Sequence, residues 1–178
     1  SAPKADGGTS CNLHEAVRSA LASMRAARGD AVELVEAFDP SLPAVAADPA
    51  ALQQVLINLV ANACEACAGV ERPRVEVRTR FVSGFVYNVI RFGKATRLPV
   101  EIVVADNGPG IAPELRDHLF EPFVSGKPHG QGLGLALVRK LLRDMGGRIA
   151  HERDDKAGQT SFRINLAVAP DESPGQTA

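Results

Sequence analysis

The sequence predicts an α/β fold, a two-layer sandwich in which a mixed sheet is covered by helices on one face. Two observations predict it. Segments with apolar residues at helical spacing are interleaved with short β-rich runs. The order mixes helices and strands along the whole chain, which favours one layer of each. At 178 residues and 45% hydrophobic composition, the chain has the size of one domain with one core.

The helices are predicted from capping residues and apolar spacing. Asn12 can cap the first helix, and Asp48 followed by Pro49 is typical of a second helix start. A short helix and a longer one follow in the second half of the chain. The predicted helices span residues 12–25, 49–68, 113–118 and 132–145.

The strands are predicted from runs rich in Val, Ile, Phe and Thr, bounded by turn residues. They span residues 32–38, 74–82, 98–105, 148–152 and 160–168. Segment 83–97 has two open interpretations, an extra hairpin or a long loop. Residues 1–11 and 169–178 are rich in Pro, Gly, Ser and charge, so we expect both ends to be disordered and the domain to span 12–168.

The balanced charge of the chain excludes some classes of partner. Its 20 Lys and Arg against 21 Asp and Glu give a net charge of -1, which offers no broad surface for nucleic acid or an anionic membrane. No apolar run approaches the ~18–20 residues of a membrane span. We therefore expect no nucleic-acid binding, no membrane contact by this domain, and a cytoplasmic location.

The cysteines predict neither a zinc site nor a disulfide framework. Cys64 and Cys67 form a lone C-x-x-C pair beside Ala and Val on a predicted helix, and Cys11 makes the number odd. Buried, inert thiols are the expected outcome, in keeping with a reducing cytoplasm.

A polar stripe follows the second predicted helix. Asn58 and Asn62 lie one turn apart there, although asparagine is a poor helix former. One interpretation is a solvated helix face. The other is a pair of amide oxygens that hold a hard cation beside phosphate, because Mg²⁺ prefers oxygen ligands and keeps part of its water.

A glycine-containing turn, residues 106–111, follows the apolar strand 98–105. It is either a plain connection or a base-binding loop. In the second interpretation, the carboxylate of Asp106 accepts a hydrogen bond from an adenine amino group, and Gly108 and Gly110 let the backbone approach the base.

Alternating glycines open the last long helix. Gly130, Gly132 and Gly134 would expose successive amide groups at a helix start, which favours phosphate oxygens. Lys127 precedes them in a stretch that could close over the phosphates as a lid. The sequence around Lys127 does not have the spacing of a P-loop.

Taken in order, these segments resemble the ATP-binding domain shared by histidine kinases, type II topoisomerases, Hsp90 chaperones and MutL repair proteins, the Bergerat fold. Residues 58–63 resemble the N box of that superfamily and 106–111 the first glycine box. The F box, the second glycine box and the last turn are similar to residues 120–123, 130–134 and 158–160.

The resemblance implies ATP and Mg²⁺ as cofactors, with Asn62 on the metal and Asp106 on adenine. It also places the lid at 120–130 and catalytic roles at Asn58 and Lys127. The expected nucleotide-binding residues are Asn58, Asn62, Asp106, Gly108, Gly110, Ile111, Phe120, Lys127, Gly130, Gln131, Gly132, Leu133, Gly134, Leu135 and Thr160.

Asn58 favours kinase activity over hydrolysis. Hydrolysing members of the superfamily carry a water-activating Glu at this position, and an amide cannot act as a general base. The alternatives are an ATP-hydrolysing clamp and a nucleotide-dependent interaction module without transfer. The acceptor histidine is expected outside this chain, because none of its histidines is followed by the acidic residue and Asn-Pro of the phosphoacceptor motif.

A closer resemblance is to the nitrogen-regulation sensor kinases, through residues 39–43, 62–66 and 119–124. It implies phosphate transfer to a histidine on a dimerisation domain, a cognate response regulator and a small nitrogen-signalling regulatory protein. The fragment is expected to be monomeric and the parent kinase homodimeric. Glu65 and Ala66 depart from the Lys-Tyr of many histidine kinases, so a phosphate contact and a ring against the base do not carry over.

Overall fold

The structure, a computed structural model, describes residues 9–82, 88–91, 94–123 and 134–170. Its helices are α1 (Leu13–Arg28), α2 (Pro49–Ala66), α3 (Pro113–Arg116) and α4 (Gly134–Asp144). Its strands are β1 (Glu33–Ala37), β2 (Arg74–Phe81), β3 (Asn88–Arg91), β4 (Lys94–Arg97), β5 (Val100–Asp106), β6 (Arg148–Asp154) and β7 (Gln159–Leu166).

Five strands form a mixed sheet in the order β1-β2-β5-β7-β6. Strand β1 pairs parallel with β2, and the remaining neighbours are antiparallel. Strands β3 and β4 pair separately, so the hairpin interpretation of segment 83–97 is correct for its described part. The predicted mixed sheet is confirmed.

The helices cover one face of this sheet because its strands alternate in burial. Val75 and Val77 of β2, Ile102 of β5 and Ile164 of β7 are fully buried toward the helices. The residues between them point to the opposite face, where Arg80 forms a bidentate pair with Glu101. Helix α2 lies at the centre of the helical layer and contacts α1, α4, β2 and β5.

Both predicted caps are present. Asn12 accepts a hydrogen bond from the Glu15 amide at 3.2 Å, and Asp48 accepts one from the Ala51 amide at 2.8 Å. Helix α1 runs past the predicted end at residue 25 and stops only at Gly29, whose φ of 61° suits a residue without a side chain.

Backbone pairing also involves described residues just outside the predicted domain bounds of 12 and 168. Cys11 is buried and exchanges two backbone hydrogen bonds with Val45, and the Ala169 amide donates to Ala44. Their composition gave no sign of this, because the pairing partner lies far along the chain. Within the described residues, no helix combines the length and apolar character needed to cross a membrane.

Candidate functional site

Asp106 is the last residue of the central strand β5 and the most buried acidic residue in or beside the glycine-containing turn 106–111. Its side chain is on the helix-covered face, and the residue is only 3% exposed. One carboxylate oxygen, Oδ1, accepts a hydrogen bond from the Gly108 amide at 2.9 Å. Burial raises the pKa of Asp106, while the Gly108 hydrogen bond and the charge of Arg153 oppose that rise.

Asn107 fixes the loop to the neighbouring strand. Its side-chain oxygen accepts from the Arg74 amide at 2.9 Å, and its side-chain nitrogen donates to the Arg72 carbonyl at 2.7 Å. The amide side chain therefore acts as a bracket between the end of β5 and the start of β2. The sequence interpretation gave Asn107 no role beyond the turn.

Gly108 is required by packing against helix α2. A Cβ atom at this position would lie 2.4 Å from the carbonyl oxygen of Ala66, a distance that no side chain tolerates. Gly110 has a φ of 89°, which favours glycine for conformational reasons. The loop therefore lies directly on the last turn of α2.

Thr160 and Arg153 complete the site from the sheet. Thr160 pairs with Asp106 across β5 and β7, and it is 3% exposed. Arg153 on β6 donates from Nη1 to the Thr160 hydroxyl at 2.8 Å and to the Gly108 carbonyl at 2.8 Å. Sequence reasoning proposed Thr160 but missed Arg153.

Three residues of this site, Asn107, Gly108 and Arg153, border a cleft with a volume of about 430 Å³. Sites for small molecules typically have volumes of about 300–1,000 Å³. Its walls are small side chains, loop backbone and one cation. It is lined by Ala66, Gly69, Val70, Asn107, Gly108, Pro109, Arg153 and Gly158.

Asn58 and Asn62 are half-buried on helix α2. Asn62 faces the start of α4, because a Cβ on Gly134 would lie 3.9 Å from the Asn62 side-chain nitrogen. The structure thus brings the predicted metal-binding amide close to the predicted phosphate-binding helix start. Among the described residues there is no cluster of three or more His, Cys, Asp or Glu able to hold a metal.

Phe120, Ile111 and Leu135 are partly buried and pack against the core. The Phe120 ring meets Phe162 edge-on, with 6.3 Å between ring centroids, and the Arg139 guanidinium lies 6.0 Å from the Phe120 ring centroid. The other predicted phosphate and lid residues lie outside the described residues: Lys127, Gly130, Gln131, Gly132 and Leu133.

His14, near the start of α1, is only partly exposed. Its ring stacks on Phe38 with 4.5 Å between centroids, and Nε2 lies 2.9 Å from the Thr79 hydroxyl. Partial burial and the charge of Arg18 lower the pKa of His14. Phe38, which follows β1, and Thr79 of β2 thus cover a residue that local sequence places on a helix surface.

The cysteines behave as predicted. Cys11, Cys64 and Cys67 are free and buried. Burial is the main cause that raises the pKa of each thiol, to about 11 for Cys67. Thiols with raised pKa values are poor nucleophiles at neutral pH, so they belong to the core.

Comparison with known proteins supports the α/β fold that the sequence predicts. Residues 47–170 match the family described as histidine kinase-, DNA gyrase B-, and HSP90-like ATPase. The mycobacterial sensor histidine kinase MprB superposes with a TM-score of 0.73 and 25% identity, over 92% of this chain and 99% of that one. Full-length ShkA, in complex with AMPPNP, gives 0.70 and 27%, over 92% of this chain and 32% of that one.

A third structure, the histidine kinase ThkA in complex with the response regulator protein TrrA, superposes with a TM-score of 0.68 and 26% identity. It covers 93% of this chain and 43% of that one.

The chain is also similar in sequence to sensory histidine kinases. The sensory histidine kinase/phosphatase NtrB of Rhodobacter capsulatus is 40% identical over 162 residues, 90% of this chain and 44% of that protein. NtrB of Salmonella typhimurium is 38% identical over 157 residues, 88% of this chain and 43% of that protein. The chain thus spans less than half the length of these relatives, and it belongs to the family of histidine kinase-, DNA gyrase B- and HSP90-like ATPases.

Proposed function

We propose that this domain binds Mg-ATP and transfers the γ-phosphate to a histidine on a separate dimerisation domain of a two-component sensor kinase that acts in nitrogen regulation. The observation that carries this proposal is the buried carboxylate of Asp106, which is hydrogen-bonded to Gly108 at the edge of a cleft of ligand size. A buried acid with a fixed hydrogen-bond donor suits recognition of a base more than solvation of a surface loop.

Asp106 supplies the specificity for adenine in this proposal. A carboxylate has about four lone-pair sites, so it can keep the Gly108 hydrogen bond and still accept one from an adenine amino group. In this proposal, the base lies against a wall formed by Gly108, Gly110, Ile111 and Thr160. Phe120 and Leu135 extend that wall toward the lid.

Asn62 is the proposed protein ligand for Mg²⁺. An amide oxygen is a suitable donor for a hard cation, and Mg²⁺ commonly takes one or two protein ligands with phosphate and water. The metal supplies neutralisation of phosphate charge when it is bound. Asn62 faces the start of α4 at Gly134, where backbone amides can receive phosphate oxygens.

Phosphoryl transfer needs little chemistry from the protein beyond positioning and charge stabilisation. Asn58 orients groups near the metal through its amide, and it has no basic group to activate water. Lys127, with Gly130, Gln131, Gly132 and Leu133, is proposed to close over the phosphates. The acceptor histidine supplies the nucleophile.

The printed names of the relatives support part of the proposed set of partners. NtrB proteins are named as sensory histidine kinases and phosphatases, and ThkA is known in complex with a response regulator. We extend this to a cognate response regulator, a small nitrogen-signalling regulatory protein and a homodimeric, cytoplasmic parent kinase. The isolated domain is expected to be a monomer.

Labelled ATP tests the proposal. The chain is mixed with γ-labelled Mg-ATP and a separately purified acceptor hairpin from an NtrB-type kinase. The expected product is acid-labile, alkali-stable label on the hairpin, as a phosphohistidine gives. Release of inorganic phosphate without labelled hairpin would indicate a hydrolysing clamp, and nucleotide binding with neither product would indicate an interaction module.

A further inference from the structure

Arg153 is placed where it can control the adenine site without belonging to any of the sequence boxes that resemble the family. It lies on the edge strand β6, opposite Thr160 of β7. Its side chain is only 14% exposed, which is low for an arginine near the end of an edge strand. Such burial indicates a specific set of partners.

Those partners belong to two separate segments of the site. Nη1 donates to the Gly108 carbonyl and to the Thr160 hydroxyl, each at 2.8 Å, and Nε lies 3.1 Å from a carboxylate oxygen of Asp155. The planar guanidinium also covers Gly110, whose added Cβ would lie 3.2 Å from Cδ and Nε of Arg153. One side chain therefore joins the loop after β5 to the β6–β7 hairpin.

We propose that Arg153 is a positioning residue for adenine recognition, which holds the loop 106–110 against Thr160 and so fixes the Gly108 amide that is bonded to Asp106. This inference rests on the proposed function for its ligand, an adenine nucleotide. It goes beyond that function because it assigns the shape and charge of the base site to a residue outside the loop.

The mechanical part of this role follows from Gly108. The Gly108 amide is bonded to Asp106, and its carbonyl is bonded to Arg153. The same peptide segment therefore connects the acid to the cation. Loss of the guanidinium would free the loop on the side that faces the cleft, while Asn107 would still hold it to β2.

The electrostatic part follows from the groups that face Asp106. Arg153 is a cation on β6. Cys64 of α2 and Cys67, which caps the end of α2, contribute thiols whose raised pKa values keep them neutral at neutral pH. Burial favours the protonated acid, and Arg153 opposes it. A protonated Asp106 would offer fewer acceptor sites to an adenine amino group.

Three variants separate these parts. Arg153→Met removes the charge and the hydrogen bonds, and Arg153→Lys keeps the charge but loses the forked geometry. Arg163→Met is the matched control, because Arg163 is on the same hairpin but points to the opposite face, where it pairs with Glu152 at 2.7 Å. Thermal unfolding of each variant reports any general damage.

Calorimetry of Mg-ATP binding between pH 5 and 8 is the first measurement. We expect Arg153→Met to bind Mg-ATP about tenfold more weakly at pH 7, because the loop 106–110 is then no longer held in its binding geometry; a tenfold change corresponds to about 1.4 kcal/mol. In this variant, the fall in ATP affinity toward low pH should also begin at a higher pH than in the wild type. Arg153→Lys should restore the pH at which this fall begins, but only part of the affinity. Arg163→Met should match the wild type in both respects.

Carboxyl NMR titration of Asp106 in wild type and Arg153→Met is the second measurement, and it needs no nucleotide. A higher pKa in the variant is expected. An equal loss of ATP affinity in Arg153→Met and Arg163→Met would overturn the positioning role of Arg153, and an unchanged Asp106 titration would overturn its electrostatic part. If the wild type binds no Mg-ATP, the proposed function fails, and the NMR titration alone then decides whether Arg153 controls Asp106.

Discussion

Asp106 and Thr160 face each other across β5 and β7, and both polar side chains are almost completely buried. Buried polar groups of this kind are normally retained with their hydrogen bonds satisfied. Here the acid is bonded to the Gly108 amide and the hydroxyl to Arg153. Asp106 and Thr160 are therefore a pair of buried polar residues within an otherwise apolar layer, and the first two predictions concern them.

Asp106→Asn should reduce ATP affinity by about tenfold, because a charge-assisted hydrogen bond to the adenine amino group becomes a neutral one. A purine nucleoside triphosphate without the 6-amino group should lose little affinity. Calorimetry with both nucleotides measures the difference. Equal losses for the two ligands would contradict the role of Asp106 in reading that amino group.

Thr160→Val should lower the free energy of unfolding by about 1 kcal/mol, because Arg153 loses one acceptor while the shape of residue 160 is kept. We also expect weaker ATP binding, since the same change loosens Arg153 over the loop. Urea unfolding and calorimetry provide the two measurements.

Thr79→Val is the matched control for that change. Thr79 is also a buried threonine, and its hydroxyl lies 2.9 Å from His14 Nε2 and accepts from the Asp39 amide at 3.1 Å. Its loss should cost about as much stability, about 1 kcal/mol, with no change in nucleotide affinity. Weaker ATP binding in both variants would attribute the effect to general destabilisation.

Much of this arrangement could be predicted from sequence because the signals were local. The caps at Asn12 and Asp48 and the acid directly after an apolar strand are read from neighbouring residues. Arg153 was missed because strand β6 was expected to end at residue 152, which left it in the turn. Only the register of β6 against β7 shows that it faces Thr160.

His14 illustrates the same limit. Its neighbours Leu13 and Glu15 indicate only a helix start, and nothing in that segment points to Phe38 or Thr79. Pairing of elements far apart along the chain decides its burial. The close contact between Gly108 and Ala66 likewise depends on tertiary packing. The sequence predicted only that this glycine lets the backbone approach the base.

Gly108→Ala should disrupt the site by steric overlap. The new methyl group would lie 2.4 Å from the Ala66 carbonyl oxygen, so the loop or the end of α2 must shift. Overpacking of this kind costs about 1–3 kcal/mol. We expect a lower melting temperature and a large loss of ATP affinity.

Gly69→Ala provides the comparison for the same cleft. A Cβ at Gly69 would meet nothing within 4 Å, so its stability should change by less than about 0.5 kcal/mol. Thermal unfolding and calorimetry of the two variants should therefore diverge. Equal melting temperatures for both would show that the loop does not press on α2 as described.

Asn62→Ala should abolish metal-dependent phosphate transfer but leave the fold nearly unchanged. A bound metal supplies several kcal/mol of charge stabilisation, so transfer should fall more than about 100-fold. Asn62 is half-buried, and we expect less than about 1 kcal/mol of lost stability. Gln54→Ala is the control, a substitution of an exposed residue on the same polar stripe of α2, and it should alter neither phosphate transfer nor stability. A large drop in melting temperature for Asn62→Ala would favour a structural role of Asn62.

The pH dependence of stability should report the burial of His14. Its folded-state pKa is lowered from 6.5, chiefly by burial and then by Arg18, while Asp39 and Glu36 oppose that shift. The unfolded chain therefore takes up a proton first as the pH falls below about 6.5, and stability present above that pH is lost as the pH falls through the folded pKa.

His14→Gln removes this titration and keeps a group that can bond to Thr79, so stability should fall less between pH 7.5 and 5 than in the wild type. Urea unfolding at the two pH values measures it. His118→Gln should change the pH dependence in the opposite direction, because hydrogen bonding to Glu121 raises the pKa of His118 and its contribution is lost as the pH rises. The same pH dependence in His14→Gln and wild type would mean that the ring is solvated rather than held between Phe38 and Thr79.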